Sequence, residues 1–183
     1  PATIDNDMYG TDFAIGYDSA INTVVEAVDK IRDTAEAHNR LFIVEVMGRD
    51  AGFIALRSGI AVGAEAVLVP ETDTHIDSLI ALLERGWQRQ KSGYVIIVAE
   101  GDDAGGAFEV AEKVKARFDH YEIRVSILGH IQRGGAPSCM DRVLATRLGV
   151  AAVEALMEGK SSLMVGIVNN KICFTPLEKA TKH

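Results

Sequence analysis

Runs of β-branched and aliphatic residues alternate with segments of helical spacing, and this alternation leaves the chain few architectures. Residues 41–47, 66–70, 94–99 and 121–128 read as strands, with helices over 52–62, 76–91 and 108–118 between and after them. Before the first strand, Ile21, Val24, Val25, Val28 and Ile31 recur at helical spacing within 12–39, with Asp18 and Ser19 as candidate caps and His38-Asn39 as the stop. A helix over 141–157, a strand over 163–168 and a short strand over 171–174 complete the reading. Strands that alternate with helices predict an α/β fold, a three-layer sandwich with a mainly parallel sheet and helices on both faces. The turn Gly134-Gly135-Ala136-Pro137 is the best place for a domain crossing.

The densest chemistry lies at the start. Thr3-Ile4-Asp5-Asn6-Asp7-Met8-Tyr9-Gly10-Thr11-Asp12 holds three carboxylates, two threonine hydroxyls and one amide. Asn, Asp and Gly favour turns, so this is a loop. Carboxylates so close either hold a cation or act as acid and base, or they simply cap the next helix near Asp12 or Asp18.

The net charge of −7 argues against broad nucleic-acid or anionic-membrane binding, so an anion site must be a local cluster. No stretch has the length of an apolar membrane span. Cys139 and Cys173 lack metal-ligand spacing and read as reduced thiols of a cytoplasmic protein. The chain starts at Pro1, directly on the loop, which suggests part of a longer protein.

Ligands of open α/β sheets bind beyond the carboxyl ends of the strands. There the sequence places Gly48 and Arg49, Glu71, Glu100, and His130, Gln132 and Arg133. Arginines and a histidine among glycines suit a phosphate, and Glu100 suits hydroxyls, which together describe a phosphorylated polyol. The opposite rim is basic as well, with Arg32, Arg40, Arg89, Lys91 and Arg124. A six-residue strand spans about 20 Å, so Arg40 and Arg49 cannot grip one ligand within one chain. The second set is either solvated surface, a second site, or a contribution to a symmetric partner.

Three segments carry a resemblance: Pro1-Ala-Thr-Ile-Asp-Asn-Asp7, Val46-Met-Gly-Arg-Asp-Ala-Gly52 and Gly129-His-Ile-Gln-Arg-Gly-Gly135. In this order and spacing the chain resembles the ATP-dependent 6-phosphofructokinases of bacterial type, along essentially its whole length. The resemblance implies transfer of the γ-phosphoryl group of MgATP to the 1-hydroxyl of fructose 6-phosphate. It implies Asp5 as the base, Thr3 against the transferring group and Arg49 stabilising its charge. Asp7 would tune the base or support Mg2+ through water. Met47, Gly48, Glu100, His130 and Arg133, with Ile4, Ile131 and Gln132, would hold the sugar phosphate. Arg40 and Arg124 would come from the adjacent subunit to the 6-phosphate. Arg32, Gly63, Glu65, Arg89 and Lys91 would form an intersubunit effector site for ADP or phosphoenolpyruvate; Arg89 stands where several relatives carry lysine.

The family's N-terminal portion, with its nucleotide-binding loops and magnesium-ligating aspartate, has no counterpart here, and its last helix looks cut short after Thr181-Lys182-His183. The implied organisation is a remnant of the nucleotide domain over 1–15, a Rossmann-like sugar-phosphate and effector domain over 16–134, and a returning segment over 135–183. The intact protein would be a cytoplasmic homotetramer, and the chain alone inactive. Ala2, where pyrophosphate-dependent relatives usually carry lysine, leaves room for a nucleotide α-phosphate. The alternatives are a pyrophosphate-dependent enzyme and a metabolite-sensing relative without catalysis.

Overall fold

The computed structural model describes residues 1–180, the side chains of 36–38 excepted; the expectation about Thr181–His183 lies outside the described residues. In chain order the elements are β1 (Ala2–Thr3), β2 (Ile15–Gly16), α1 (Tyr17–His38), β3 (Arg40–Val46), α2 (Phe53–Val62), β4 (Ala66–Leu68) and α3 (Ile76–Gln88). Then come β5 (Tyr94–Ala99), α4 (Ala107–Lys115), β6 (Glu122–Ile127), a 3-10 turn (Gly129–Arg133), α5 (Cys139–Met157), β7 (Leu163–Val168) and β8 (Lys171–Pro176). The chain divides into two compact units. One is Ile21–Gln132; the other joins Pro1–Ala20 to the stretch from Arg133 onward.

The continuous unit is the α/β body that the sequence predicts. Its four strands are all parallel, in the order β4-β5-β3-β6, and β3 is paired along its length on both sides. Such strands are buried on both faces, which is why β5 (YVIIVA) reads as one apolar run rather than an alternation. On one face Leu41, Ile43, Ile96 and Val98 pack with Leu79, Ile80 and Leu83 of α3 and Val110 and Val114 of α4. On the other face α2 lies over β4 and β5. Gly59 makes that approach possible, since an added Cβ would strike the Val67 side chain. Arg32 of α1 donates to the carbonyl oxygen of Val62 at the end of α2.

The discontinuous unit departs from a single parallel sheet. β1 and β2 form a short parallel pair, and β7 and β8 an antiparallel hairpin turning at Asn169-Asn170, both with positive φ. Two residues in left-handed conformation are what a tight hairpin requires, so the last two strands pair locally. Against them Leu144, Leu148 and Ile167 make a small core joined by Phe13, Ile15 and Ile172.

Helix boundaries also shift. α1 starts at Tyr17 rather than Asp12, because Ile15–Gly16 are extended and pair in parallel with β1. α5 starts at Cys139, with Ser138 as its cap accepting from the Asp141 N–H at 3.1 Å. α3 stops at Gln88; beyond it Gln90 takes a positive φ of 57°.

Candidate functional site

In the discontinuous unit β1 delivers the loop that begins at Thr3. The Thr3 hydroxyl accepts the backbone N–H of Asp5 at 3.2 Å, and Asp5 is buried at 5 % exposure. Next to it Asn6 takes a left-handed φ of 58°. Its side chain crosses the loop, donating from Nδ2 to the Asp12 carbonyl at 3.0 Å and accepting the Ala14 N–H at Oδ1 at 2.7 Å. Asparagine tolerates that dihedral and supplies both partners, so a single residue braces the loop that carries Asp5 and Asp7. Ile4 is half-buried beside them, and Ala2 is exposed.

Helix capping is not this loop's task. The N-terminus of α1 is closed instead by Asp141: Oδ1 accepts the Gly16 N–H, and Oδ2 accepts the Ser19 N–H, each at 2.9 Å. Oδ2 also accepts the Ser19 hydroxyl at 2.5 Å, and the Ser138 N–H donates to that same hydroxyl at 2.9 Å. Asp141 is 2 % exposed. Sequence reading missed it as a structural residue, although Ser138-x-x-Asp141 has the form of a capping box. Arg133 and Cys139 are exposed, while the half-buried Cys173 donates its S–H to the Gly10 carbonyl at 3.1 Å.

In the continuous unit the carboxyl ends of β5, β3 and β6 stand side by side, and the predicted residues there hold one another. Gly48 has φ 144°, and a Cβ would collide with the Ala51 carbonyl oxygen, so only glycine opens the turn after β3. Arg49 follows with φ 56° and an exposed side chain. Glu100 Oε1 accepts the N–H of Arg49 at 2.7 Å and of Gly48 at 3.3 Å. The sequence reading assigned Glu100 to ligand hydroxyls; this oxygen serves the turn that presents Arg49. Gln132, 2 % exposed, accepts the Met47 N–H at 3.2 Å and donates to the Gly129 carbonyl at 3.0 Å, which ties the end of β3 to the turn after β6. That turn leaves His130 exposed and Ile131 at 61 % exposure. Further carboxylates of this unit close helix starts: Glu71 takes the Gly52 N–H at α2 and Glu45 the Ala107 N–H at α4, both at 2.8 Å.

At the opposite rim the basic residues fall into two groups. Arg40 Nε meets Glu122 Oε2 at 2.7 Å, and Arg124 pairs with Glu122 Oε1. Arg32 reaches the carbonyls of Val62 and Gly63, the latter the left-handed cap of α2 at φ 62°. Two residues on, Glu65 pairs with Lys91 through Oε1 and accepts the Val95 N–H at 2.6 Å through Oε2. Arg89 is exposed at the end of α3. Thus Arg32, Gly63, Glu65 and Lys91 lie on one surface, whereas Arg40 and Arg124 belong to a different cluster.

An open, parallel α/β body whose strand ends carry glycine turns and paired polar side chains defines the class, a sheet protein with a ligand rim. The chain belongs to the phosphofructokinase family, whose model matches residues 1–156. The ATP-dependent 6-phosphofructokinase 2 of Bacteroides thetaiotaomicron is 53% identical over 183 residues, covering 100% of this chain and 56% of that relative. Among solved structures, phosphofructokinase from Saccharomyces cerevisiae superposes with a TM-score of 0.91 at 35% identity, over 98% of this chain and 25% of the yeast chain. A pyrophosphate-dependent phosphofructokinase from Marinobacter aquaeolei gives 0.79 at 27% identity, over 96% of this chain and 48% of that one. The chain spans about half the length of the curated relatives it matches. Among the described residues no helix is long and apolar enough to cross a membrane.

Proposed function

We propose that the chain is part of an ATP-dependent 6-phosphofructokinase, which moves the γ-phosphoryl group of MgATP to the 1-hydroxyl of fructose 6-phosphate and so makes fructose 1,6-bisphosphate in glycolysis. The observation that carries this reading is Asp5, a buried carboxylate on a loop whose neighbouring asparagine fixes it from both ends of its side chain. A kinase needs a base for a hydroxyl, and a buried carboxylate on this loop can supply one. That favours the proposal over a purely metabolite-sensing protein.

Asp5 takes the proton of the 1-hydroxyl as that oxygen becomes the nucleophile. Thr3 and Ile4 line the approach. Arg49 carries its guanidinium on a turn held by Glu100 and stabilises charge on the transferring group. Met47, Gly48, Glu100, His130, Ile131, Gln132 and Arg133 hold the sugar phosphate, Glu100 also bracing the turn after β3 through Oε1. Arg40 and Arg124 serve the 6-phosphate of an adjacent subunit in a homotetramer. Arg32, Gly63, Glu65, Arg89 and Lys91 take a phosphorylated effector, ADP or phosphoenolpyruvate. Residues 1–15 and 135–183 belong to the nucleotide domain, 16–134 to the sugar-phosphate domain, and the intact protein works in the cytoplasm.

Among the described residues no group of three or more His, Cys, Asp or Glu is arranged to hold a metal ion. Asp7 would tune the base or support, through water, an Mg2+ that arrives with the nucleotide. Bound there, magnesium supplies positive charge to the phosphoryl oxygens.

Ala2 and the ATP-dependent relatives support the nucleotide as donor; assaying the intact protein with ATP and with pyrophosphate separates the two. Asp5→Ser in the intact protein should lower turnover by roughly 10²–10⁴-fold while fructose 6-phosphate still binds. Turnover equal to the parent's removes Asp5 as the base.

A further inference from the structure

The cluster at the amino-terminal end of β6 has a composition that phosphate binding alone does not explain. Arg40 stands opposite Glu122 in the parallel register, and Arg124 is two residues further along the same strand, on the same face. Three long charged side chains therefore project together, Glu122 and Arg124 from the edge strand β6 and Arg40 from its neighbour β3. Their arrangement is specific: each carboxylate oxygen of Glu122 takes one guanidinium, Oε2 that of Arg40 and Oε1 that of Arg124. Two guanidiniums converging on a pair of acceptor oxygens is also how a phosphate is gripped.

We infer that Glu122 is a built-in substitute for phosphate, which fills the space between Arg40 and Arg124 until a phosphate monoester displaces it. The inference rests on the reading of Arg40 and Arg124 as a phosphate-binding pair and adds the residue that competes with the ligand. The hydrogen bond from Arg40, with the charge of Arg124 beside it, holds the Glu122 carboxyl below the usual carboxylate range, so it is ionised at neutral pH. Without it, two guanidiniums would face each other across one strand spacing with only water to separate them. With it, the cluster carries one net positive charge, which discriminates against weakly charged anions and favours a dianion. Displacement is feasible because the group is open: the side chains of Arg40, Glu122 and Arg124 are 25%, 49% and 50% exposed. Ion pairs at such exposure contribute little, and a dianion that satisfies both guanidiniums exceeds them.

The test is calorimetric titration of the intact protein with fructose 6-phosphate and, separately, with inorganic phosphate. Glu122→Gln keeps the shape and removes the charge; it should tighten both by roughly three- to tenfold, with KM for fructose 6-phosphate falling and kcat unchanged. Glu122→Ala, with its melting temperature recorded, guards against a folding defect in the first variant and should change affinity in the same direction. Affinity unchanged means that Glu122 only keeps the edge strand soluble, and affinity weakened means that it orients the arginines; either result overturns the inference. Arg40→Ala and Arg124→Ala test the underlying reading. If neither weakens phosphate binding, the pair is not a phosphate site; if both do and Glu122→Gln does not tighten it, only the role of Glu122 is lost.

Discussion

Ser19 and Asp141 lie 122 positions apart, and their side chains meet at 2.5 Å. The same carboxylate takes the backbone N–H groups of Gly16 and Ser19, so one aspartate in the first turn of α5 completes the first turn of α1. Negative charge is favoured at both helix starts, and both draw on one side chain.

Asp141→Ala should accordingly destabilise the fold by about 2–4 kcal/mol, more than an ordinary cap, because it strands three buried donors. Urea unfolding followed by circular dichroism measures it. Ser138→Ala should cost only about 1 kcal/mol.

Asn6→Ala removes two loop-spanning hydrogen bonds and a residue suited to φ 58°. The intact enzyme should lose turnover more than tenfold with its melting temperature almost preserved, since the loop lies outside the main core. A large drop in melting temperature with turnover retained would contradict the positioning role.

Gln132→Ala leaves the Met47 N–H and the Gly129 carbonyl without their partner. About 2 kcal/mol of stability should be lost, and fructose 6-phosphate affinity with it, because Arg49 and His130 flank the joined segments. Gln132→Glu still accepts from Met47 but turns a second oxygen toward the Gly129 carbonyl in a buried site, so it should recover neither.

Alkaline titration tests the core of the continuous unit. Burial, with neighbouring Tyr121 adding to it, pushes the Tyr94 hydroxyl up to about 12. Its folded value lies above its unfolded one, so the stabilisation is present in full below about pH 10 and is lost as pH rises from there through 12. Tyrosinate absorbance should show Tyr94 ionising only as circular dichroism reports unfolding.

Strands β3, β4 and β5 were legible as mostly apolar runs bounded by turn residues and β6 (EIRVSI) as a polar–apolar alternation, and their order along the chain carries the fold class. The hairpin of β7 and β8 was harder: Asn169-Asn170 signals a turn, yet the strand-helix rhythm before it favours continued parallel pairing. At the site, glycines and arginines stood out in sequence, while their supports did not. Glu100, Gln132 and Asp141 act on backbone N–H groups far away in sequence, and such pairs follow from strand order and register rather than from local spacing. Glu122 belongs with them, since only the alignment of β3 and β6 places it between two arginines.

The discontinuous unit has a consequence for biogenesis. Its first twenty residues leave the ribosome long before the stretch from Arg133 onward that they pair with, whereas Ile21–Gln132 emerges as one uninterrupted span. The intervening body can thus consolidate first, while the start of α1 waits for the Asp141 carboxylate that closes it. A nascent chain stalled before Asp141 would expose the unfinished start of α1, which makes that interval the one in which a chaperone matters most.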